Sequence, residues 1–307
     1  MDLLERFYGS ILGLAVGDCL GMPWEFQSRG SFPQVTSFAK GGAHNAQWGE
    51  WSDDTSMAMC LAETLIRHQG WNAADAADRF RQWYRAGYWS AREACFDIGN
   101  ATRQAIEQFE KSHDPFSSCS DEASSGNGSI MRLAPIAMTF YKSARLFEIV
   151  AESSRLTHGS RTCLDACHLM ASVFRGILQG RMKSEILSVS FLQKNGPELG
   201  YCEAIAPIVQ CDFRRKAESD IQTTGYVAHT LEAALYCWAH TNTYRDAVLM
   251  AVNLGDDTDT TAAVTGQIVG AFTGLSGIPS NWHKEIVYRR QIISVTEGIY
   301  YLSQKQS

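Results

Sequence analysis

The sequence predicts an all-α fold: one compact domain over 1–307, a bundle of many helices. Three observations carry the prediction. Apolar residues recur at helical spacing through most of the chain, while period-2 alternation bounded by turns is nearly absent. Two stretches rich in acids and hydroxyls, Trp51-Ser52-Asp53-Asp54-Thr55-Ser56 and Gly255-Asp256-Asp257-Thr258-Asp259-Thr260-Thr261, run straight into periodic apolar segments, as helix starts do. Small residues recur every fourth position twice, at Gly9, Gly13, Gly17, Gly21 and at Ala262, Gly266, Gly270, Gly274.

The elements follow in order. Residues 3–21 read as a helix with the first glycine stripe. Interior glycine costs about 1 kcal/mol against alanine, so four on one face call for a reason, and close approach by another helix supplies it. The second stripe is the expected partner. Residues 22–51 form a long irregular segment of the kind that is usually functional. Three helices fill 55–110, breaking near Gly70-Trp71-Asn72 and near 87–92, with Asn72 as a cap. A second irregular stretch covers 112–125. It leads to Gly126-Asn127-Gly128-Ser129 and a helix from Ile130. Further helices are expected over 144–155, 160–180, 183–194, 198–210, 227–240, 243–253, 261–274 and 281–303.

With 307 residues, 45% apolar and 20% charged, the composition is that of an ordinary globular protein. A net charge of −6 advertises no basic face and argues against nucleic-acid and anionic-membrane partners. Nine cysteines without scaffold spacing, several at helical apolar positions (Cys60, Cys163, Cys167, Cys237), read as reduced core residues. Asp2 and Glu5 stand where a signal peptide would be basic, and no run reaches the roughly twenty apolar residues of a membrane span. The expectation is a cytoplasmic monomer.

Capping explains one or two acids per helix start, not three. Carboxylates this close raise one another's pKa unless a cation sits among them. Hard oxygen ligands without a nearby His or Cys suit Mg²⁺, Mn²⁺ or Ca²⁺ rather than zinc. Neighbouring Asp53 and Asp54 point different ways, and so do Asp257 and Asp259, so each pair could serve two ions. Two such starts some two hundred residues apart have the composition of a two-metal hydrolytic centre. The competing reading is an over-capped helix or an acidic turn.

Gly126-Asn127-Gly128-Ser129 is a candidate phosphate cradle, because glycines let backbone N–H groups approach an anion. A plain Asn-Gly turn is the commoner explanation. His158, in Leu156-Thr157-His158-Gly159-Ser160, could donate to a phosphate or sugar or simply steady a turn. Glu25 follows Met22-Pro23-Trp24 in a loop. A lone loop glutamate is usually just solvated, but beside a metal centre it could exchange a proton with water or a leaving group. Trp24, Phe26, Trp48 and Trp51 are unusually aromatic for a loop. One could stack on a base, although core packing is the commoner fate of each.

Six segments together, 17–25, 51–57, 126–132, 156–160, Gly225-Tyr226-Val227 to Ala234, and 255–260, resemble in this order the ADP-ribosylglycohydrolase family. The resemblance covers nearly the whole chain. It implies an all-α hydrolase with two divalent cations, Mg²⁺ or Mn²⁺, that frees ADP-ribose from a protein or small-molecule acceptor. It carries metal-ligand roles onto Ser52, Asp53, Asp54, Asp257, Asp259 and Thr260, and makes Asp54 and Asp257 catalytic beside Glu25. Asp256 falls outside the ligand set as a cap or supporting residue. The resemblance also places the diphosphate and neighbouring ribose against Gly126, Asn127, Gly128, Ser129 and His158. Ser52 stands where many relatives have Thr, which keeps the hydroxyl, and His229 stands where relatives often have Asp. The alternatives are a metal-dependent nucleotide phosphohydrolase or pyrophosphohydrolase, and a non-catalytic ADP-ribose-binding relative.

Overall fold

The computed structural model describes residues 1–116 and 120–306. Fifteen α-helices run through them: α1 Leu3–Gly21, α2 Asp53–His68, α3 Ala73–Ala86, α4 Asn100–Ser112, α5 Ala134–Thr139, α6 Leu146–Arg155, α7 Arg161–Leu178, α8 Lys183–Ile186, α9 Val189–Lys194, α10 Ala206–Val209, α11 Val227–His240, α12 Tyr244–Asn253, α13 Thr258–Thr273, α14 Ser280–Glu285 and α15 Arg289–Ser303. Among the described residues there is no strand, only three isolated bridges. The all-α expectation holds. The part of the expected loop 112–125 at 117–119 lies outside the described residues. So does Cys119, while the eight described cysteines are all unpaired. No helix is long and apolar enough to cross a membrane.

Helix α1 is the axis of the molecule, buried from Gly9 to Gly21. It lies against α13 along the two small-residue stripes. A β-carbon on Gly9, Gly13 or Gly17 would collide with the carbonyl oxygen of Gly270, Gly266 or Ala262 respectively, and one on Gly21 would meet the Asp259 backbone. The glycines are there because two backbones occupy the space that side chains would need. Around this pair α11, α12, α15, α2 and α5 close a continuous apolar core that includes Phe7, Leu12, Trp83, Phe174 and Trp238. Asn72 caps α3 as expected, accepting from Asp75 N at 3.0 Å.

The third helix expected in 55–110 begins only at Asn100, and four further expected helices differ, each for a local reason. Proline is tolerated only in the first helical turn, where its missing N–H has no partner to lose. Pro135 therefore moves the helix expected from Ile130 to Ala134, and Pro207 reduces 198–210 to Ala206–Val209. Ser188 restarts the chain inside 183–194 by capping Phe191 N at 3.2 Å. Tyr288, in the left-handed region at φ 54°, splits 281–303 in two.

Candidate metal centre and its cavity

The C-terminal end of α1 positions both acidic motifs. Asp18, one turn before Gly21, is completely buried. It accepts from Ser52 N (2.8 Å), Thr55 N (3.1 Å) and Thr55 Oγ1 (2.6 Å). The start of α2 is thus capped by a carboxylate from another helix, which leaves Asp53 and Asp54 free of that task. On the other side, Thr258 Oγ1 donates to Gly21 O at 2.8 Å where the glycine stripe ends. The N-terminus of α13 has no side-chain cap either, so Asp257 and Asp259 are also uncommitted. The two starts meet: Thr260 Oγ1 donates to Asp54 Oδ2 at 3.3 Å, and Ser52 Oγ to the same oxygen at 3.4 Å.

The Glu25 turn is docked onto this pair by two backbone hydrogen bonds. Phe26 N donates to Asp256 O, and Asp256 N to Gln27 O, both at 2.8 Å. Phe26 and Asp256 are left-handed, at φ 64° and 57°. Such conformations persist only where surrounding structure enforces them. The Asp256 side chain is exposed, and its backbone forms the joint between the Glu25 loop and α13.

Together these residues wall a cavity of about 400 Å³. Glu25, Asp53, Asp257, Asp259 and Thr260 face it, with Gly126, Asn127, Gly128 and His158 opposite. Ser52 and Asp54 lie beneath the floor, fully buried. Ser129 is also behind the wall, its hydroxyl accepting from Cys167 Sγ at 3.4 Å. Of the loop aromatics, Trp51 is buried and donates to Val287 O, Trp24 stacks on Phe32 and Trp48 meets Phe38 edge-on. Phe26 alone reaches the cavity. His229 sits in a separate recess of about 270 Å³ with Lys216 and Glu232.

The cradle is tied to the acids. Asn127 Nδ2 donates to Asp257 Oδ2 at 2.8 Å and to Thr230 Oγ1 at 3.0 Å. His158 crosses the turn so closely that a β-carbon on Gly128 would lie 2.6 Å from its Cε1. Burial, and next the Arg132 charge, push His158 down to about 3, so the ring is neutral. Arg132 Nη2 donates to Thr157 Oγ1 at 2.7 Å, and that hydroxyl lies 2.7 Å from His158 Nδ1. Nδ1 is thus engaged by Thr157 behind the ring, and Nε2 is the nitrogen turned to the Gly126–Gly128 turn.

Electrostatically the floor is unbalanced. Burial pushes Asp53, Asp54 and Asp259 well above the carboxylate range and raises Asp257, with neighbouring carboxylates adding to the effect. Burial also lifts Asp18 to about 6 and Glu25 to about 7, against the hydrogen bonds that favour their charged forms. Asp54 Oδ1, Asp257 Oδ1 and Asp259 Oδ1 are buried with no hydrogen-bond partner. No lysine or arginine lines the cavity among the described residues. Hard, orphaned oxygens on two cavity-lining acids and on Asp54 just beneath them, with no lysine or arginine beside them, fit divalent cations.

Three residues here escaped sequence reading in their roles. Asp18 left a trace, an acid between two stripe glycines that a buried helix face has to satisfy. His44 and Asp97 left none. His44 Nε2 lies 2.9 Å from Glu25 Oε2 and 3.1 Å from Asp97 Oδ1, and these carboxylates, Asp97 first, raise it to about 10.

The family model for ADP-ribosylglycohydrolase matches residues 1–307. The chain belongs to the ADP-ribosylglycohydrolase family. Among its relatives, an ADP-ribosylarginine hydrolase, Tri1, of Pseudomonas putida (strain GB-1) is 36% identical over 300 residues, 97% of this chain and 78% of that protein. The ADP-ribosyl-[dinitrogen reductase] glycohydrolase of Rhodospirillum rubrum is 28% identical over 288 residues, 91% and 89% of the two chains. A solved structure described as an ADP-ribosylglycohydrolase-related protein complex superposes with a TM-score of 0.87 at 35% identity, covering 98% of each chain. Membership makes this ADP-ribosylglycohydrolase a hydrolase of glycosidic bonds, and the phosphohydrolase alternative falls with it.

Proposed function

We propose that the chain hydrolyses the bond between the anomeric carbon of the distal ribose of ADP-ribose and the side chain of an arginine on a protein, releasing ADP-ribose. Ser52, Asp53, Asp54, Asp257, Asp259 and Thr260 would hold two divalent cations, Mg²⁺ or Mn²⁺. Such a pair supplies Lewis-acid orientation of the ribose hydroxyls and a more acidic water. The observation that carries the reading is the convergence of two remote acidic helix starts, with orphaned oxygens, on one cavity.

The chain's own residues have separable tasks. Asp18 and the α1–α13 crossing set the distance between the two ligand groups before any ion arrives, so little ordering remains to be done on binding. Gly126 and Gly128 keep the cradle side bare of side chains, and His158 Nε2 would donate there to the diphosphate or its ribose. Asn127 links that cradle to Asp257, so substrate position and ligand position are coupled. Glu25, raised to about 7 by burial, is poised to exchange a proton near neutral pH, where general acid–base groups work best. Its backbone joint to Asp256 holds it over the reacting end of the cavity. The arginine acceptor rests on the similarity to ADP-ribosylarginine hydrolases.

Purified protein incubated with ADP-ribosylarginine, ADP-ribosylserine and O-acetyl-ADP-ribose, in Mg²⁺, Mn²⁺ or chelator, tests the reading through released ADP-ribose. Preferential, metal-dependent turnover of the arginine adduct is expected. Equal rates in chelator would sink it.

A further inference from the structure

Glu25, His44 and Asp97 converge from two loops, 22–51 and the connection between α3 and α4. Their ligand-capable atoms lie within 4.8 Å of one another. The His44 Nε2 contacts, 2.9 and 3.1 Å, are as short as hydrogen bonds. Yet Nε2 and Glu25 Oε2 are buried without a directed hydrogen bond. Glu25 is only 7% exposed. Tetrahedral zinc with nitrogen and oxygen ligands at about 2.0–2.1 Å keeps neighbouring ligands about 3.3–3.4 Å apart; the two His44 contacts are slightly shorter than that, and all three ligand atoms fall within 4.8 Å of one another.

The imidazole is also held in place from outside. Phe26 and Phe96 flank the ring, with centroids 6.0 and 6.2 Å away. Arg92 Nη1 donates to His44 O at 2.7 Å while its guanidinium lies 4.2 Å over the Phe96 ring and pairs with Glu50 at 2.7 Å. Both loops are thereby pinned together behind the three ligand atoms.

We infer that Glu25, His44 and Asp97 form a further cation site, chemically separate from the all-oxygen centre, that takes an imidazole-seeking ion such as Zn²⁺. Mg²⁺ and Mn²⁺ favour the oxygen centre, whereas an imidazole beside carboxylates favours zinc. Occupancy engages Glu25, so zinc at this site inhibits the hydrolase. That second half rests on the reading of Glu25 proposed above, and the binding half does not.

The test is a ZnCl₂ titration of Mn²⁺-saturated protein by calorimetry and metal analysis, on the unaltered chain, His44→Ala and His44→Asn, with helical content checked by circular dichroism. The unaltered chain should take up one more zinc per chain than either variant, or bind it at least tenfold more tightly. Micromolar zinc should lower turnover of the unaltered chain and leave each variant at its own zinc-free rate. Equal zinc stoichiometry and affinity in all three proteins, or no zinc uptake by the unaltered chain, would overturn the site. Zinc held through His44 without loss of turnover would overturn the inhibitory half. Failure to release ADP-ribose from any acceptor would instead tell against the proposed function and leave the zinc count unchanged.

Discussion

Thr260 Oγ1 donates to Asp54 Oδ2 at 3.3 Å, although 206 positions separate the two residues. The contact closes a ring of structure that runs from Asp54 back through the start of α2 to Asp18, along α1 to Gly21, and across to Thr258 at the start of α13. Each link is a short polar contact or a backbone-to-backbone crossing. The chain's own contacts tie the two acidic motifs together and bury their carboxyl groups side by side.

That burial makes the metal-free protein pH-sensitive. Glu25 is raised to about 7 and Asp18 to about 6, against ordinary values near 4, and Asp53, Asp54 and Asp259 are pushed higher still. A carboxyl whose folded pKa exceeds its unfolded one favours the fold most when protonated, and that contribution is lost as pH rises through the folded value. In chelator, the melting temperature should therefore fall between pH 5 and pH 8, and saturating Mn²⁺ should flatten or reverse the slope. A metal-free protein that melts higher at pH 8 than at pH 5 would contradict this.

Asp54→Asn and Asp257→Asn each remove a candidate ligand charge from a floor that already carries too many. Turnover should drop at least about a hundredfold, the scale of losing one preorganised electrostatic partner. The melting temperature in chelator should stay level or rise, because the repulsion is relieved. Steady-state kinetics and thermal melts on the same preparations check both halves.

Asp18→Asn offers N–H donors where three donors already converge. Leaving buried groups unsatisfied costs about 1–3 kcal/mol each, so the variant should melt well below the unaltered protein. It should also bind Mn²⁺ more weakly, since the start of α2 loses the acceptor that fixes it. Calorimetry with Mn²⁺ separates this from a purely structural loss.

Gly266→Ala places a methyl group against the Gly13 carbonyl. Backbone cannot swing aside as a side chain can, so the overpacking cost should sit at the upper end, about 3 kcal/mol. α1 and α13 would be forced apart, and with them the two ligand groups. A lower melting temperature together with weaker Mn²⁺ binding is expected, and a melt indistinguishable from that of the unaltered chain would be inconsistent with the crossing.

His158→Ala removes the proposed Nε2 donor. Hydrogen bonds to charged groups contribute about 1.5–3 kcal/mol, so the dissociation constant for ADP-ribose should rise at least about tenfold, with kcat less affected. Titration of ADP-ribose by calorimetry reads this directly.

What the chain itself determined is whatever depends on spacing. Helical periodicity specified the all-α class, because a buried helix face must repeat near every 3.6 residues. The two four-residue stripes specified the α1–α13 crossing, because glycine on a helix face is tolerated only where another backbone needs the room. The surplus of acids at two helix starts specified Asp53, Asp54, Asp257 and Asp259 as candidates, because capping cannot use them all. Tertiary structure alone decided the rest. His44 and Asp97 sit in loops without periodicity, and their meeting at Glu25 depends on how Arg92 and the left-handed Phe26 and Asp256 fold those loops over the cavity. That Asp18 caps a helix other than its own, that His158 is buried and neutral, and that Ser129 turns away from the cavity are likewise consequences of neighbours remote in the chain. Charge and hydrogen bonding are set by what surrounds a group in space, and no local pattern encodes it.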